Sequence, residues 1–175
     1  MNKVIFLDRD GTINKDDGFT HKVGDVELIP NTIKGLQSMK DQGYRLIIVT
    51  NQSGIGRGHY TESQMHKFNN YLINKLKQEN INIEAVLFCP HTPQDNCSCR
   101  KPKTKLIESY FTPNLNKNKS YVIGDRASDI ELANNAGLNS LLVTTGSSKN
   151  NPQSNPKPTF IAEDLLDAAN KIQNA

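Results

Sequence analysis

The sequence predicts an α/β fold in which helices cover both faces of a parallel β-sheet. Five short apolar runs recur along the 175-residue chain, and helical patterns separate them. None of the runs alternates strictly between apolar and polar residues, which is typical of strands buried on both faces of a parallel sheet. Because strands and helices take turns along the chain, right-handed crossovers should build a three-layer, Rossmann-like sheet.

Each predicted strand is a short apolar run. The runs are VIFL (4–7), LIIVT (46–50), AVLF (85–88), YVIG (121–124) and SLLVT (140–144). Residues 147–158 form a polar segment broken by prolines, and we interpret it as a linker. The stretch FIAEDLLDAANKI after it predicts one further short strand and a last helix. The sequence shows neither an internal repeat nor a second domain, so a single domain over residues 1–175 is expected.

Three helices are predicted between the strands. The first covers residues 31–42, where apolar side chains recur on one face and a glycine follows as a stop signal. The second covers residues 61–79 and opens with the spacing of a capping box before a stripe of apolar residues. Ser128 and Glu131 have the same spacing and predict the start of the third helix, which Gly137 should end.

The composition is that of an ordinary soluble globular protein, with 35% hydrophobic and 22% charged residues. No apolar run approaches the roughly 20 residues that a membrane span needs, and the N-terminal stretch meets an aspartate too early for a signal peptide. The net charge of +3 comes with scattered lysines, whereas a nucleic-acid-binding surface would need them clustered. A cytoplasmic monomer that binds neither nucleic acid nor membranes is therefore expected.

Polar residues stand at the carboxyl ends of three predicted strands, which is where ligands bind in an open α/β sheet. These residues are Asp8 and Asp10 after the first strand, Thr50 and Asn51 at the end of the second, and Asp125 after the fourth, with Asp129 one turn further on. One such aspartate alone is more often a helix cap or a turn residue. Several carboxylates in one cleft repel each other unless a cation lies among them, and hard oxygen ligands favour Mg²⁺. The joint placement therefore predicts a magnesium site.

The two-residue spacing of Asp8 and Asp10 allows the two carboxylates to do different work. One can attack a substrate as a nucleophile, while the other, beyond the end of the strand, can transfer protons. DRDGT at residues 8–12, a strand that ends in Thr50, a basic residue and GDRASD at residues 124–129 follow one another along the chain. Together they resemble the four motifs of the haloacid dehalogenase superfamily of phosphohydrolases.

The resemblance implies a role for each motif residue. Asp8 would be the nucleophile that forms an aspartyl-phosphate, and Asp10 would protonate the leaving oxygen and then activate water. Thr50 would hydrogen-bond the transferring phosphoryl group. Asp125 would complete a Mg²⁺ site with the Asp8 carboxylate and the Asp10 backbone carbonyl, and Asp129 would support that site. Phosphoryl transfer suits these groups, because it needs mainly positioning and neutralised charge on the phosphoryl oxygens.

All three cysteines lie within the stretch CPHTPQDNCSC (89–99), which also holds a histidine. Cys89, His91, Cys97 and Cys99 make up a Cys₃His set, a usual ligand composition of structural zinc sites, although their spacing is not that of a zinc finger. A disulfide would leave one cysteine over and conflicts with a cytosolic setting, while free buried thiols are the remaining alternative. Four protein ligands leave no open position, so a zinc ion here is expected to be structural.

Arg100 and Lys101 follow this loop directly, and we expect the zinc ion to hold the loop so that both side chains reach the phosphate. The motif CPH…CxCRKP resembles that of one branch of the superfamily, the histidinol-phosphate and D-glycero-D-manno-heptose 1,7-bisphosphate phosphatases. The likeness extends over about residues 3–145. It implies that Lys101 is the catalytic lysine of the superfamily and that Arg100 contacts the substrate.

Two sets of residues favour different substrates within that branch. GFTHKVGDVELIPN (18–31) and TNQSGIGRGHYT (50–61) resemble the heptose bisphosphate phosphatases, whereas CRKPKTKL (99–106) and VIGDRASDIELANNAGL (122–138) look closer to the histidinol phosphatases. The first set should lie where the substrate is recognised. Asn51, Ser53 and Arg57 are the predicted substrate contacts within it, and Ser53 with Arg57 suits a second anionic phosphate.

A sugar bisphosphate is therefore the expected substrate. Histidinol phosphate, a phosphorylated amino alcohol, is the alternative within the same branch. A non-catalytic, zinc-stabilised binding module whose aspartates serve structure alone is the hypothesis from another class of protein. Phosphate release that depends on Mg²⁺ and disappears in Asp8→Asn would separate the enzyme from the binding module.

The first two motifs leave little room for a cap domain, since 42 positions separate Asp8 from Thr50 and a helix uses many of them. Residues 13–30 should instead form a small flap. A capless enzyme has to define its substrate with loops, and the candidate loops are residues 14–29, 52–60 and 89–103. A substrate-lining role is expected for GIGRG (54–58), with a plain strand-to-helix turn as the alternative.

Overall fold

The computed structural model describes residues 2–147 and 156–175. Within these residues the strands are β1 (Lys3–Leu7), β2 (Tyr44–Asn51), β3 (Ile83–Cys89), β4 (Tyr121–Gly124), β5 (Asn139–Val143) and β6 (Phe160–Ala162). The helices are α1 (Thr32–Asp41), α2 (Ser53–Gly56), α3 (Glu62–Gln78), α4 (Ala127–Ala136) and α5 (Leu165–Gln173). All six strands run parallel in one sheet with the order β3-β2-β1-β4-β5-β6. The predicted α/β fold with a parallel sheet is confirmed.

Alternate residues of the central strand enter two separate hydrophobic cores. Ile5 and Leu7 of β1 pack with side chains of α1, α3 and α5 on one face of the sheet. Val4 and Phe6 pack with α4 and with residues 106–111 on the other face. Because residues 4–7 of β1 are buried on both faces, each of these positions favours an apolar residue, and this explains the run without alternation. The three-layer arrangement is as predicted.

The chain changes direction across the sheet at β1. It passes from β1 outwards to β2 and β3, and then returns to place β4 on the other side of β1 before continuing to β5 and β6. Ligands of such sheets bind in the crevice beyond the carboxyl ends of the two strands at this switch point. Asp8 follows β1 and Asp125 follows β4, and the pairing of Leu7 with Ile123 brings the two strand ends side by side.

Helices α1 and α3 begin and end within one residue of their predicted limits. The capping box of α3 is present: the Gln64 backbone N–H donates to Thr61 Oγ1 (3.2 Å), and the Thr61 N–H donates to Gln64 Oε1 (2.8 Å). Each contact satisfies a backbone donor that has no partner within the helix. The local sequence therefore determines where α3 starts.

The predicted cap of α4 is wrong. Ser128 lies inside the helix, and the N-cap is Arg126, whose backbone N–H donates to Asp129 Oδ2 (3.2 Å). The turn between β4 and α4 consists of Asp125 and Arg126 alone, so the helix begins too early for Ser128 to cap it. Gly137 ends the helix as predicted, at a φ of 68° that favours glycine.

The segment between β1 and α1 is small, as the flap prediction for residues 13–30 requires. Its described structure consists of a one-turn 3₁₀ helix at Val23–Asp25 and an isolated antiparallel bridge between Asn14 and Leu28. Two ring contacts join the flap to the loop after β2: Phe19 lies 4.5 Å from His59, and His21 stacks on Tyr60 at 4.5 Å. The flap therefore lies against the loop that carries Arg57.

Most of the predicted linker, residues 148–155, lies outside the described residues. The strand and helix expected after it are β6 and α5. Among the helices of the described ranges, we find none with the length and apolar character needed to cross a membrane.

Candidate active site

Three aspartates converge at the switch point of the sheet. Asp8 follows β1, Asp125 follows β4, and Asp129 lies in the first turn of α4. An oxygen atom from each of the three carboxylates lies within 4.8 Å of the other two. All three residues are buried, with exposed fractions of 6%, 1% and 0%. The structure thus brings together three side chains that the sequence analysis assigned to a metal site.

Lys101 is a buried cation of this cluster. Its Nζ donates to Asp8 Oδ1 (2.8 Å), to Asp129 Oδ1 (2.7 Å) and to the Val49 carbonyl (2.8 Å), so all three of its N–H donors are used. Burial acts to lower the pKa of Lys101, but the carboxylates of Asp129 and Asp8 outweigh it and raise the pKa above its usual range. The side chain is therefore a permanent positive charge beside Asp8.

Lys101, together with Arg126 Nε at 3.9 Å from Asp125 Oδ1, does not balance three buried carboxylates. Burial raises the pKa of Asp129 to about 7, against the opposing effect of Lys101 and with a further contribution from the Asp8 charge. Burial and Asp8 together raise the pKa of Asp125 to about 6. The cluster is thus short of positive charge at neutral pH.

The Asp125 carboxylate shows where a cation fits. Its Oδ2 accepts a hydrogen bond from the Ser147 backbone N–H (2.6 Å), whereas its buried Oδ1 has no hydrogen-bond partner in the described part of the chain. A Cβ added at Gly11 (φ 83°) would come within 2.6 Å of this carboxylate, so glycine keeps the space beside it open. A buried carboxylate oxygen that accepts no hydrogen bond, among other hard carboxylate ligands, suits Mg²⁺.

Addition of Mg²⁺ to the metal-free protein should raise its stability more at pH 8 than at pH 6. The folded-state pKa values of Asp125 and Asp129, about 6 and 7, exceed their usual 3.8. Folding without metal therefore takes up protons, and stability falls as the pH rises through this window. Mg²⁺ needs ionised carboxylates, so protons compete with it at pH 6. Thermal unfolding with and without Mg²⁺ at both pH values measures the effect. An equal shift of the Tm at both pH values, or a full shift in Asp125→Asn, would contradict the assignment.

Asp10 lies apart from the three clustered carboxylates and accepts four hydrogen bonds. Arg9 Nε (2.9 Å) and Asn14 Nδ2 (2.9 Å) donate to its Oδ1. Arg9 Nη2 (2.7 Å) and Gln52 Nε2 (2.8 Å) donate to its Oδ2. No role was predicted from the sequence for Arg9, Asn14 or Gln52. The available signal was a charged residue inside the DRDGT motif, directly between Asp8 and Asp10.

Thr50 and Asn51, at the end of β2, hold other site residues in place. Thr50 is buried, and its Oγ1 accepts a hydrogen bond from Gln52 Nε2 (2.8 Å). Asn51 pairs with the backbone of Lys101: its Oδ1 accepts from the Lys101 N–H (3.0 Å), and its Nδ2 donates to the Lys101 carbonyl (3.3 Å). Asn51 thereby fixes the chain that carries the lysine, while its predicted contact with substrate stays a prediction.

A cleft of about 330 Å³ opens over these residues. Its lining includes Asp8, Asp10, Thr50, Asn51, Ser53, Arg57, Arg100 and Lys101, all of which the sequence analysis had placed in the site. Arg126 also lines the cleft and was not predicted; its Nη2 donates to Asp16 Oδ2 of the flap (3.0 Å). The signal for Arg126 was its position inside the GDRASD motif. Three arginines therefore face the same space as Asp8.

The Cys₃His set forms a compact group at the end of β3. The three Sγ–Sγ distances are 3.2, 3.5 and 3.6 Å, and His91 Nδ1 lies 3.5 Å from Cys89 Sγ and 3.3 Å from Cys99 Sγ. A disulfide bond would need about 2 Å. The edges of a tetrahedron around Zn²⁺, with zinc–ligand bonds of about 2.0–2.3 Å, are about 3.6–3.8 Å long. The group therefore has nearly the dimensions of a zinc site, and the donor set fits that metal.

Without a metal, the thiols of this group differ in how readily they ionise. Burial and the neighbouring Cys99 raise the pKa of Cys89 to about 12. Burial raises the pKa of Cys97 as well, but the backbone N–H of Arg100 and the other thiols lower it to about 6. Three thiolates at these distances would repel one another, and a bound Zn²⁺ would stabilise all three.

The Cys₃His loop is connected to the carboxylate cluster through two adjacent residues. Arg100 follows Cys99, and its Nη1 donates to the His91 carbonyl (3.2 Å). Lys101 follows next and reaches Asp8 with its Nζ. The backbone of Lys101 is therefore held on one side by the Cys₃His loop and on the other by Asn51.

A parallel sheet with aspartates at the carboxyl ends of β1 and β4, and a buried lysine between them, defines a haloacid dehalogenase-like hydrolase. The family described as "HAD-hyrolase-like" matches residues 98–168. A Photorhabdus laumondii protein named D-glycero-alpha-D-manno-heptose-1,7-bisphosphate 7-phosphatase is 38% identical over 179 residues, covering 97% of this chain and 96% of that protein. The chain belongs to this family of phosphatases.

Two further comparisons agree with this membership. A Thermoplasma volcanium protein, named "Probable D-glycero-D-manno-heptose-1,7-bisphosphate 7-phosphatase", is 48% identical over 125 residues, covering 71% of this chain and 86% of that protein. The crystal structure of D,D-heptose 1,7-bisphosphate phosphatase from B. bronchiseptica, complexed with magnesium and phosphate, matches with a TM-score of 0.88 and 28% identity over 99% of both chains.

Proposed function

We propose that this chain removes the 7-phosphate from D-glycero-D-manno-heptose 1,7-bisphosphate and leaves the 1-phosphate in place. The observation that carries the proposal is the composition of the cleft, in which Asp8 and Lys101 share about 330 Å³ with Arg57, Arg100 and Arg126. A monophosphate needs only the first two, whereas a second phosphate can use the remaining N–H donors of the arginines. The names of the relatives support the same substrate.

Asp8 is the nucleophile of the proposed reaction. Lys101 holds its Oδ1 and orients the carboxylate towards the cleft. As Asp8 attacks phosphorus, the bond to the sugar oxygen breaks, and Asp10 gives that oxygen a proton. Water then attacks the aspartyl-phosphate, its proton passes to Asp10, and Asp8 is released. Thr50, at the end of β2, would hydrogen-bond the phosphoryl group.

Two metals complete the proposal. Asp8, Asp125 and the Asp10 backbone carbonyl would hold Mg²⁺, and Asp129 would support that site through its ion pair with Lys101 (2.7 Å). When bound, Mg²⁺ would supply the positive charge that an anionic nucleophile needs beside an anionic phosphate. The Cys₃His group would hold a structural Zn²⁺. A cytoplasmic monomer without nucleic-acid or membrane partners remains part of the proposal.

Histidinol phosphate is the less favoured substrate, for an electrostatic reason. Its amine is cationic, and the arginines that line the cleft would repel it. Asp16, the flap carboxylate in the cleft, is already paired with Arg126. The alternative of a non-catalytic, zinc-stabilised binding module is disfavoured, because the chain belongs to a phosphatase family and its buried carboxylates face an open cleft.

Phosphate release from heptose 1,7-bisphosphate and from histidinol phosphate, measured side by side with Mg²⁺, tests the proposal. We expect clear preference for the bisphosphate, and ³¹P NMR should show a heptose 1-phosphate product. Asp8→Asn serves as the blank. Preference for histidinol phosphate, or loss of the 1-phosphate, would overturn the substrate assignment.

Arg57→Ala should raise the KM for the bisphosphate about tenfold with a smaller effect on kcat. An exposed charge-assisted hydrogen bond to the remote phosphate contributes about 1.5 kcal/mol, and this contact is made equally in the ground state and the transition state. Steady-state kinetics of the variant measures both constants. Lys67→Ala removes an exposed cation from α3 and should change neither. An unchanged KM in Arg57→Ala would remove this arginine from the binding site.

A further inference from the structure

Arg9 is a fully buried arginine that the roles given above leave unused. It lies between Asp8 and Asp10, and its side chain is 0% exposed. Its Nε and Nη2 donate to the two oxygens of the Asp10 carboxylate, at 2.9 and 2.7 Å. Two parallel N–H···O bonds fix the plane of a carboxylate as well as its position, which a lysine cannot do.

Arg9 is itself held from three directions. Its Nη1 donates to Asn69 Oδ1 of α3 (2.7 Å), and its Nη2 donates to the Thr20 carbonyl of the flap (2.9 Å). The same Nη2 lies 3.1 Å from Gln52 Oε1, in the loop after β2. The guanidinium also stacks on the Phe68 ring, at 4.4 Å from its centroid. An arginine with this many partners has a single orientation available.

Four hydrogen bonds surround the Asp10 carboxylate, and Arg9 supplies two of them. Asn14 Nδ2 and Gln52 Nε2 add one donor to each oxygen that Arg9 already contacts, so the carboxylate accepts four N–H groups. Arg9 contacts both oxygens of the carboxylate, whereas Asn14 and Gln52 contact one each. Loss of the guanidinium should therefore disturb the position of Asp10 more than loss of either amide.

We propose that Arg9 is the positioning residue for Asp10 in the second half of the reaction, the hydrolysis of the aspartyl-phosphate. In that step water forms a bond to phosphorus, the bond from phosphorus to the Asp8 oxygen breaks, and the proton of the water passes to Asp10. Arg9 touches neither substrate nor water; it holds the Asp10 carboxylate and links it to the flap through Thr20. The inference rests on the proposed function, in which Asp10 activates water.

Rapid-mixing kinetics of Arg9→Lys with p-nitrophenyl phosphate tests the inference. Nitrophenolate leaves without a proton, so phosphorylation of Asp8 should stay fast, while hydrolysis of the aspartyl-phosphate should slow. We expect a burst of close to one nitrophenolate per enzyme and a steady rate lower than that of the wild type by about 100-fold, the usual size of a general-base contribution. Arg9→Gln, which buries no ammonium group, should give the same burst and is measured as the second variant.

Two control variants separate positioning from stability. Asn69→Ala removes a partner of Arg9 but leaves both bonds to Asp10, so it should lower the Tm without producing a burst. Arg45→Lys weakens the forked ion pair with Glu84, which lies outside the cleft, and should leave the kinetics unchanged. If burst amplitude and steady rate fall by the same factor in the Arg9 variants, the inference is wrong. It is also wrong if these variants keep wild-type kinetics, and in both cases the proposed function still stands. Full turnover in Asp10→Asn would overturn the proposed function as well.

Discussion

Asp8→Asn is expected to lower Mg²⁺-dependent phosphate release by about 10⁴-fold or more, because an amide cannot serve as the nucleophile of phosphoryl transfer. The side chains have nearly the same shape, so the cleft should keep its form. The measurement is phosphate release from heptose 1,7-bisphosphate, at enzyme concentrations high enough to detect the residual rate.

The same substitution should stabilise the metal-free protein, and this second result separates lost chemistry from lost folding. The Asp8 charge raises the pKa of both Asp125 and Asp129, so its removal relieves repulsion between buried carboxylates. We expect the Tm to rise by a few degrees, and most clearly at pH 8, where all three carboxylates would otherwise be charged.

Asp41→Asn is the matched control, because this aspartate lies at the end of α1 with its side chain 73% exposed. It should alter neither activity nor the Tm. Substantial turnover by Asp8→Asn would contradict the nucleophile assignment. A strongly lowered Tm in that variant would instead mean that Asp8 serves mainly to hold Lys101.

Removal of zinc is expected to have the second large effect, on stability and on activity together. The Cys₃His loop ends two residues before Lys101, so a loop without metal should no longer place that side chain between Asp8 and Asp129. Cys99→Ser removes one ligand, and we expect it to lower the Tm by ten degrees or more and kcat by about 100-fold.

Metal analysis provides the readout that activity alone does not give. The wild type should contain close to one zinc per chain and release it to a chelator with a parallel fall of the Tm. Ser98→Ala is the matched control, since Ser98 is an exposed neighbour of Cys99 in the same loop. Full stability and full activity after chelation would remove any role for zinc in holding the loop.

Much of the fold was predictable from local patterns. Buried strands of a parallel sheet have no solvent-facing side, and so the buried stretches of β1, β2 and β4 do not alternate between apolar and polar residues. The ends of α3 follow from contacts between residues three positions apart. Asp8 and Asp125 could be placed at one site because the ends of adjacent parallel strands meet.

The contacts of the charged side chains could not be predicted in this way. Lys101 reaches Asp8 across 93 positions of sequence, and Arg126 reaches Asp16 across 110. The prediction that Ser128 caps α4 was wrong, because the packing of α4 on the sheet decides the length of the turn after β4.

Arg9 shows the difference most clearly. An arginine in sequence normally indicates an exposed position, yet here α3, the flap and the loop after β2 all supply partners that make its burial favourable. Local sequence thus determined the strands, the helices and the motif residues at the strand ends. The tertiary structure decided which charges pair and which carboxylate oxygen is left for a metal, since these depend on segments that meet only after folding.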